Sequence, residues 1–341
     1  MEAKIIAKQD IRAWLKSLED RLEVVAPVTS DGVTRFQSIS DPGAIDLDAG
    51  VPTKSLRQEF TPETETLFEY KVSGQSAEIE EPRRPEKDRL IFGARACDAA
   101  GLKYVDAVYS MVEPRDEPYF DRREHTLIAG LFCTNPAWSC FCTEVNDFLT
   151  HPIEMDLYFT DLGDRMYVEA LTPKGEELVT GSYFNAATDA DTKALEEVRK
   201  QALEKLPARA YHEEACLTYD WDHPVWSKLS DKCVGCGICA FSCPTCHCFD
   251  IQEYPKGSRG CRFRCWDTCQ FEKFTLMGHG HNPRPSKKER TRQRVFHKFK
   301  YSIERYKMLG CVGCGRCVAA CPVNIDIRQV IHELESGTEN K

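Results

Sequence analysis

The chain has 341 residues, a hydrophobic content of 42% and a formal net charge of −9. That length allows two domains, and the acidic balance argues against bulk nucleic-acid binding. No apolar stretch approaches the ~20 residues of a membrane-spanning helix, and the polar start Met1-Glu-Ala-Lys-Ile-Ile lacks the apolar run of an export signal. Both predict a soluble, cytoplasmic protein with no membrane span, in which 18 cysteines point to metal ligation rather than disulfides.

Taken in chain order, Ile5 and Ile6 open a short apolar segment. Asp10 is a candidate cap for a helix whose apolar face is Ile11, Leu15, Leu18 and Leu22. Residues 22–28 and 32–39 read as strands around a Ser30-Asp31-Gly32 turn, and the Pro/Glu-rich residues 72–88 read as a loop. Arg89–Gly93 is a buried-type strand, Ala99–Tyr109 a helix and Thr126–Phe132 the next strand, an order that predicts a βαβ crossover. Residues 155–160 and 165–170 form a hairpin across Asp161–Asp164, and a charged helix over Asp191–Leu206 leads away. The expected fold is α+β. An α/β domain over residues 1–215 is followed by a mainly helical, ferredoxin-type domain over 216–341.

The second domain carries the most specific text. Cys233-Val-Gly-Cys236-Gly-Ile-Cys239-Ala-Phe-Ser-Cys243-Pro and Cys311-Val-Gly-Cys314-Gly-Arg-Cys317-Val-Ala-Ala-Cys321-Pro both read C-x2-C-x2-C-x3-C-P, the run that wraps cubane clusters in bacterial-type ferredoxins. Three close thiolates hold one cluster and the fourth reaches the other. The spacing therefore predicts one [4Fe–4S] cluster on Cys233, Cys236, Cys239 and Cys321, and a second on Cys311, Cys314, Cys317 and Cys243. Structural zinc is the competing reading, disfavoured by the third cysteine at the same step and by the duplication. Cys243-Pro-Thr-Cys246-His247 also matches a haem-attachment pattern, but Cys243 already belongs to the ferredoxin run. The spacer over residues 244–310 is long, and its helix-like text from Ser286 to Lys307 fits a helical two-cluster domain.

A third group, Cys97, Cys133, Cys140 and Cys142, lies just past the two strands of the crossover. Parallel neighbours emerge on one side of a sheet, so these thiols are expected to converge on a third cluster; zinc, or small buried residues, are the alternatives. Asp98 reads as the cap of the following helix. Cys246, Cys248 and Cys269 are further candidate ligands; Cys265 and Cys269, four apart, would share a helix face. His247, His279, His281 and His297 read by default as surface residues. The basic residues between Arg284 and Lys307 read either as a solvated face or as charge offsetting clusters. No Walker loop and no G-x-G-x-x-G after a strand is present, so neither flavin nor nucleotide is expected in this chain.

Gly93-Ala-Arg-Ala-Cys97-Asp98, Cys133-Thr-Asn-Pro, Cys140-Phe-Cys142, Cys243-Pro-Thr-Cys246-His247-Cys248-Phe-Asp, Trp266-Asp-Thr-Cys269 and His281-Asn-Pro-Arg284 together resemble a family of iron–sulfur subunits. It comprises the beta subunits of soluble NiFe hydrogenases and sulfhydrogenases, an iron–sulfur subunit of anaerobic sulfite reductase, and the iron–sulfur partner of flavin oxidoreductase modules. The resemblance spans about residues 89–327. It implies an electron-transfer subunit between an FAD/NAD(P)-binding flavoprotein and a terminal hydrogenase, sulfite reductase or heterodisulfide reductase, and it supports the third cluster. Cys261 and Cys265 lie outside these motifs. The alternative is a catalytic iron–sulfur oxidoreductase with the extra cysteines as a substrate site.

Overall fold

The computed structural model describes residues 3–81, 87–111, 113–208 and 213–336. The α/β half is built on one sheet of eight strands. These are β1 (Lys4–Ala7), β2 (Leu22–Ser30), β3 (Val33–Ser38), and, after the residues of a second sheet, β6 (Asp88–Ala94), β7 (Thr126–Leu131), β8 (Leu157–Asp161), β9 (Arg165–Ala170) and β10 (Asn185–Ala186). Their order is β10-β1-β9-β8-β7-β6-β2-β3. The central strands β2, β6, β7 and β8 are parallel, and the flanking ones antiparallel. Alternation along the strands sends Leu90, Phe92, Leu157 and Phe159 into one core with Trp14, and Ile91 and Tyr158 into the other with Leu102. The crossover helix is Ala96–Ser110, and the charged helix runs Asp189–Glu204 behind a Thr188/Asp191 capping box.

Several readings of this half change. The first helix ends at Leu18, so Leu22, read on its apolar face, instead opens β2. Asp10 precedes the helix Ile11–Leu18, but its side chain makes no capping bond. The chain is already turning in a 3₁₀ segment, Lys8–Asp10, whose first N–H bonds Asp164, so Asp10 has helical rather than extended dihedrals. The segment read as a loop over 72–88 is mostly a ribbon. β4 (Thr64–Ser73) and β5 (Ser76–Glu80) pair there, and residues 82–86 lie outside the described residues. Both faces of β5 meet solvent, so its side chains show no apolar alternation to betray a strand.

The ribbon belongs to a second sheet, ordered β11-β12-β4-β5. Its other strands, β11 (Phe249–Lys256) and β12 (Arg259–Trp266), come from the cysteine spacer. Arg264 on β12 faces Glu65 on β4 and donates from Nε at 2.5 Å, while its guanidinium also holds Asp116. The Arg57 guanidinium stacks 3.6 Å from the Trp266 ring. The remainder of the second half is helical, including Val225–Lys232, Lys287–Phe296 and Ile327–Ser336, around a core of Trp226, Phe296, Phe299 and Ile331. Phe141 and Val145 of the first half are part of that same core. Among the described residues no helix is long and apolar enough to cross a membrane.

Arg264→Met leaves Asp116 and part of Glu65 without their buried cation. It is expected to cost about 3 kcal/mol, read as a lower midpoint of chemical denaturation; an unchanged midpoint would show that the ribbon pairing does not depend on this ion pair.

Candidate iron–sulfur site

The first cysteine run follows the helix Val225–Lys232 and turns through Gly237 into the short helix Ile238–Phe241. Cys233, Cys236, Cys239 and Cys321 line one cavity, which Cys317 also touches. Backbone donors already face the sulfurs: Gly235 N–H to Cys233 Sγ at 3.3 Å, and Ile325 N–H to Cys321 Sγ at 3.2 Å. Such bonds stabilise thiolate charge and tune a bound cluster.

Cys311, Cys314 and Cys317 lie within electrostatic reach of Cys243. Lys298 is buried among them. Its Nζ donates to Cys243 Sγ at 3.1 Å, Thr245 Oγ1 at 2.7 Å and the Gly310 carbonyl at 3.0 Å. The Cys243 thiol is held well below its ordinary pKa, first by the hydrogen bond from Cys246, then by Lys298 and Arg294. Burial instead pushes Cys311 up to about 12 and Cys314 up to about 11. Thiols so placed are neutral by themselves; iron binding would supply the charge that makes them thiolates.

Cys97 and Cys133 stand just past the parallel neighbours β6 and β7. Cys133 reaches Cys97, Cys140 and Cys142 electrostatically, and burial pushes Cys140 up to about 11 and Cys142 up to about 12. This group abuts the second run. Cys314 acts on both Cys97 and Cys140, and Cys140 Sγ lies 3.8 Å from the Cys314 carbonyl. The two loops pack backbone to backbone. Phe141 N–H donates to the Gly313 carbonyl at 2.8 Å, and a Cβ on Gly313 or Gly315 would collide with the backbone of Cys142 or Ser139. Both glycines also hold positive φ, +65° and +70°, so glycine is required there twice over.

Residues 232–325 match the 4Fe-4S dicluster domain family. Over 331 residues, 95% of this chain and 96% of the relative, the sequence is 30% identical to sulfhydrogenase 2 subunit beta of Pyrococcus furiosus. The chain belongs to the sulfhydrogenase beta-subunit family. No solved structure matches it. The beta-subunit chain is thus an iron–sulfur protein with a 4Fe-4S dicluster domain, and the thiols and N–H donors above are chemically suited to such clusters. Among the described residues no three His, Cys, Asp or Glu side chains are arranged to hold a single metal ion.

The buried cationic residues are the part that spacing did not reveal. Arg316 is 5% exposed; it donates to Asp98 at 2.9 Å, to the Pro52 carbonyl at 2.8 Å and towards Cys97 Sγ at 3.9 Å. Asp98 is therefore not the helix cap: Arg95 holds that position, and Asp98 accepts from Arg316 and from Leu56 N–H. The solvated-face reading of the basic run fails for Arg290, Arg292, Arg294 and Lys298, all buried. Arg294 donates to the Cys239 carbonyl at 2.8 Å, and Arg57 to the Cys246 carbonyl. One signal was available: position 316 is Arg where the first run has Ile238.

The remaining cysteines and histidines divide clearly. Cys246 hydrogen-bonds Cys243, and Cys248 pairs in the same way with Cys269. Cys265 lies on β12 and Cys269 in the turn beyond it, so they share no helix. Cys216 is buried against the Tyr219 hydroxyl at 3.2 Å. His279 and His281 are exposed, but His247 and His297 pack edge to face at 5.4 Å. Burial lowers their pKa to about 4 and about 3, against the surface reading.

Arg316→Met, which strands Asp98 in the interior, is expected to destabilise the chain by about 3–5 kcal/mol. Arg316→Met with Asp98→Leu should recover most of that loss. Denaturation of the two variants tests the pair, and equal damage in both would place the cost elsewhere.

Proposed function

We propose that this chain is an electron-transfer subunit carrying three [4Fe–4S] clusters. The ligand sets are Cys233, Cys236, Cys239 and Cys321; Cys311, Cys314, Cys317 and Cys243; and Cys97, Cys133, Cys140 and Cys142. It works in the cytoplasm without a flavin or nucleotide of its own, between an FAD/NAD(P)-binding subunit and a terminal redox subunit. The observation that carries this reading is continuity. Cys239 and Cys317 of neighbouring sets act on each other, and Cys314 of the second set acts on Cys97 and Cys140 of the third. Bound clusters would accept and release electrons one at a time.

The two near-identical runs differ in surroundings, which supports a direction for the path. In the first, Val234 is 60% exposed and Ile238 39%; in the second, their counterparts Val312 and Arg316 are each 5% exposed. The first run supplies an apolar surface for a partner, and the second is enclosed between the first and the α/β half. At the far end Trp138, in the loop between Cys133 and Cys140, is 74% exposed.

Anaerobic reconstitution is expected to give about 12 iron and 12 sulfide per chain, four of each per cluster. Cys133→Ser should remove about four of each; retention of the full complement would remove that cysteine from the ligand set. Lys298→Met deletes a buried positive charge beside Cys243 and disfavours the reduced, more negative state. An EPR-monitored redox titration should show the midpoint potential of one centre falling while the others hold; no change would mean that the Cys243 sulfur is not part of a centre.

A further inference from the structure

A concavity of about 640 Å³, outside the three cysteine groups already described, is lined by His247, Cys248, Cys269, Arg284, His297 and Arg305, with Glu304 as its carboxylate. We infer that Cys248 and Cys269 form a redox-active dithiol in this cavity, and that the cavity takes a small anionic disulfide. It rests on the relay reading only for its electron supply.

Four observations carry the assignment. The volume suits a small organic ligand. Two thiols, hydrogen-bonded to each other, face it, while Cys246 turns away to Cys243. Two arginines stand against one carboxylate, a balance that favours an anion. The wall is shaped for the purpose: the helix Lys287–Phe296 continues as a π-helical segment, His297–Tyr301, whose widened turn presents both His297 and Tyr301 to the cavity. The dithiol also adjoins the first cluster site. Cys269 lies within electrostatic reach of Cys239, and the turn carrying it packs on the cysteine loop, where a Cβ at Gly237 would meet Thr268 Cγ2 at 2.9 Å.

Cys269 Sγ accepts from Gln270 Nε2 at 3.6 Å, a bond that favours its thiolate and makes it the attacking sulfur. It displaces one half of the substrate R–S–S–R: the Cys269–S–S–R bond forms and RS⁻ leaves. Cys248 then attacks the Cys269 sulfur, closing the Cys248–Cys269 disulfide and releasing the second RS⁻. The two thiol protons leave with the two products, RSH. Two electrons, delivered one at a time by iron–sulfur carriers, and two protons restore the dithiol.

The test uses the full chain, loaded with iron and sulfide, and dithiodipropionate as the anionic disulfide. Cys248→Ser is expected to trap a mixed disulfide on Cys269, located by peptide mass spectrometry. Wild type should release two thiols per disulfide, and Cys269→Ser should form no adduct at this site. Arg284→Gln should slow the exchange about tenfold for dithiodipropionate but not for neutral hydroxyethyl disulfide. Absence of the Cys269 adduct with iron content unchanged overturns the dithiol, and loss of iron on replacing either cysteine overturns it in favour of a metal site. Exchange that proceeds without turnover by the chemically reduced protein supports the dithiol and overturns its supply by the relay.

Discussion

Burying thiols that must end as thiolates is the constraint on which the second half of this protein depends. An isolated thiol in the interior stays protonated because a buried charge has no water to stabilise it. The chain answers with cations buried in the same place. Lys298 donates directly to Cys243 Sγ, and Arg294 and Arg57 donate to carbonyls of the cysteine loops. Each cation is itself too costly to bury alone. Sulfur ligands and cations therefore require each other, and their charges fix where the helix Lys287–Phe296 and its π-helical continuation must lie. Arg294 and Lys298 of the basic run thus supply positive charge beside the cysteine loops.

The two halves of the chain meet where they do for related reasons. Arg316 reaches out of the second cysteine run to Asp98, at the start of the crossover helix. Gly313 and Gly315 bring the run's backbone against residues 139–142. Phe141 is carried across into the helical core. The spacer ribbon returns the contact from the other side, through Arg264 and its two carboxylates. A relay needs short and constant gaps between its stations. A junction made of backbone contact and a buried ion pair holds such gaps better than a polar, solvated one would.

What the sequence revealed follows from which signals are local. Cysteine spacing is local, so both runs and their expected ligand sets can be read from the chain alone. The βαβ crossover was legible because Ile91 and Ile128 sit in strands with uninterrupted apolar text. The ribbon β4-β5 was not: its side chains are largely solvated, so backbone pairing alone makes it a strand. Strand β11 was hidden for the same reason, and β12 pairs with β4, a segment far away in the chain. Asp98 looked like a cap because its partner, Arg316, is remote in sequence. His247 and His297 looked like surface residues because nothing in their neighbourhood of the chain reports that they pack on each other.

The central claim is that three cysteine groups form one continuous path, and magnetic interaction between centres tests it most directly. EPR of the fully reduced chain is predicted to integrate to about three spins, one per reduced cluster. It should show splitting from neighbouring centres that simplifies when Cys133→Ser removes the third. Sharp, mutually independent signals from the wild-type chain would contradict the account.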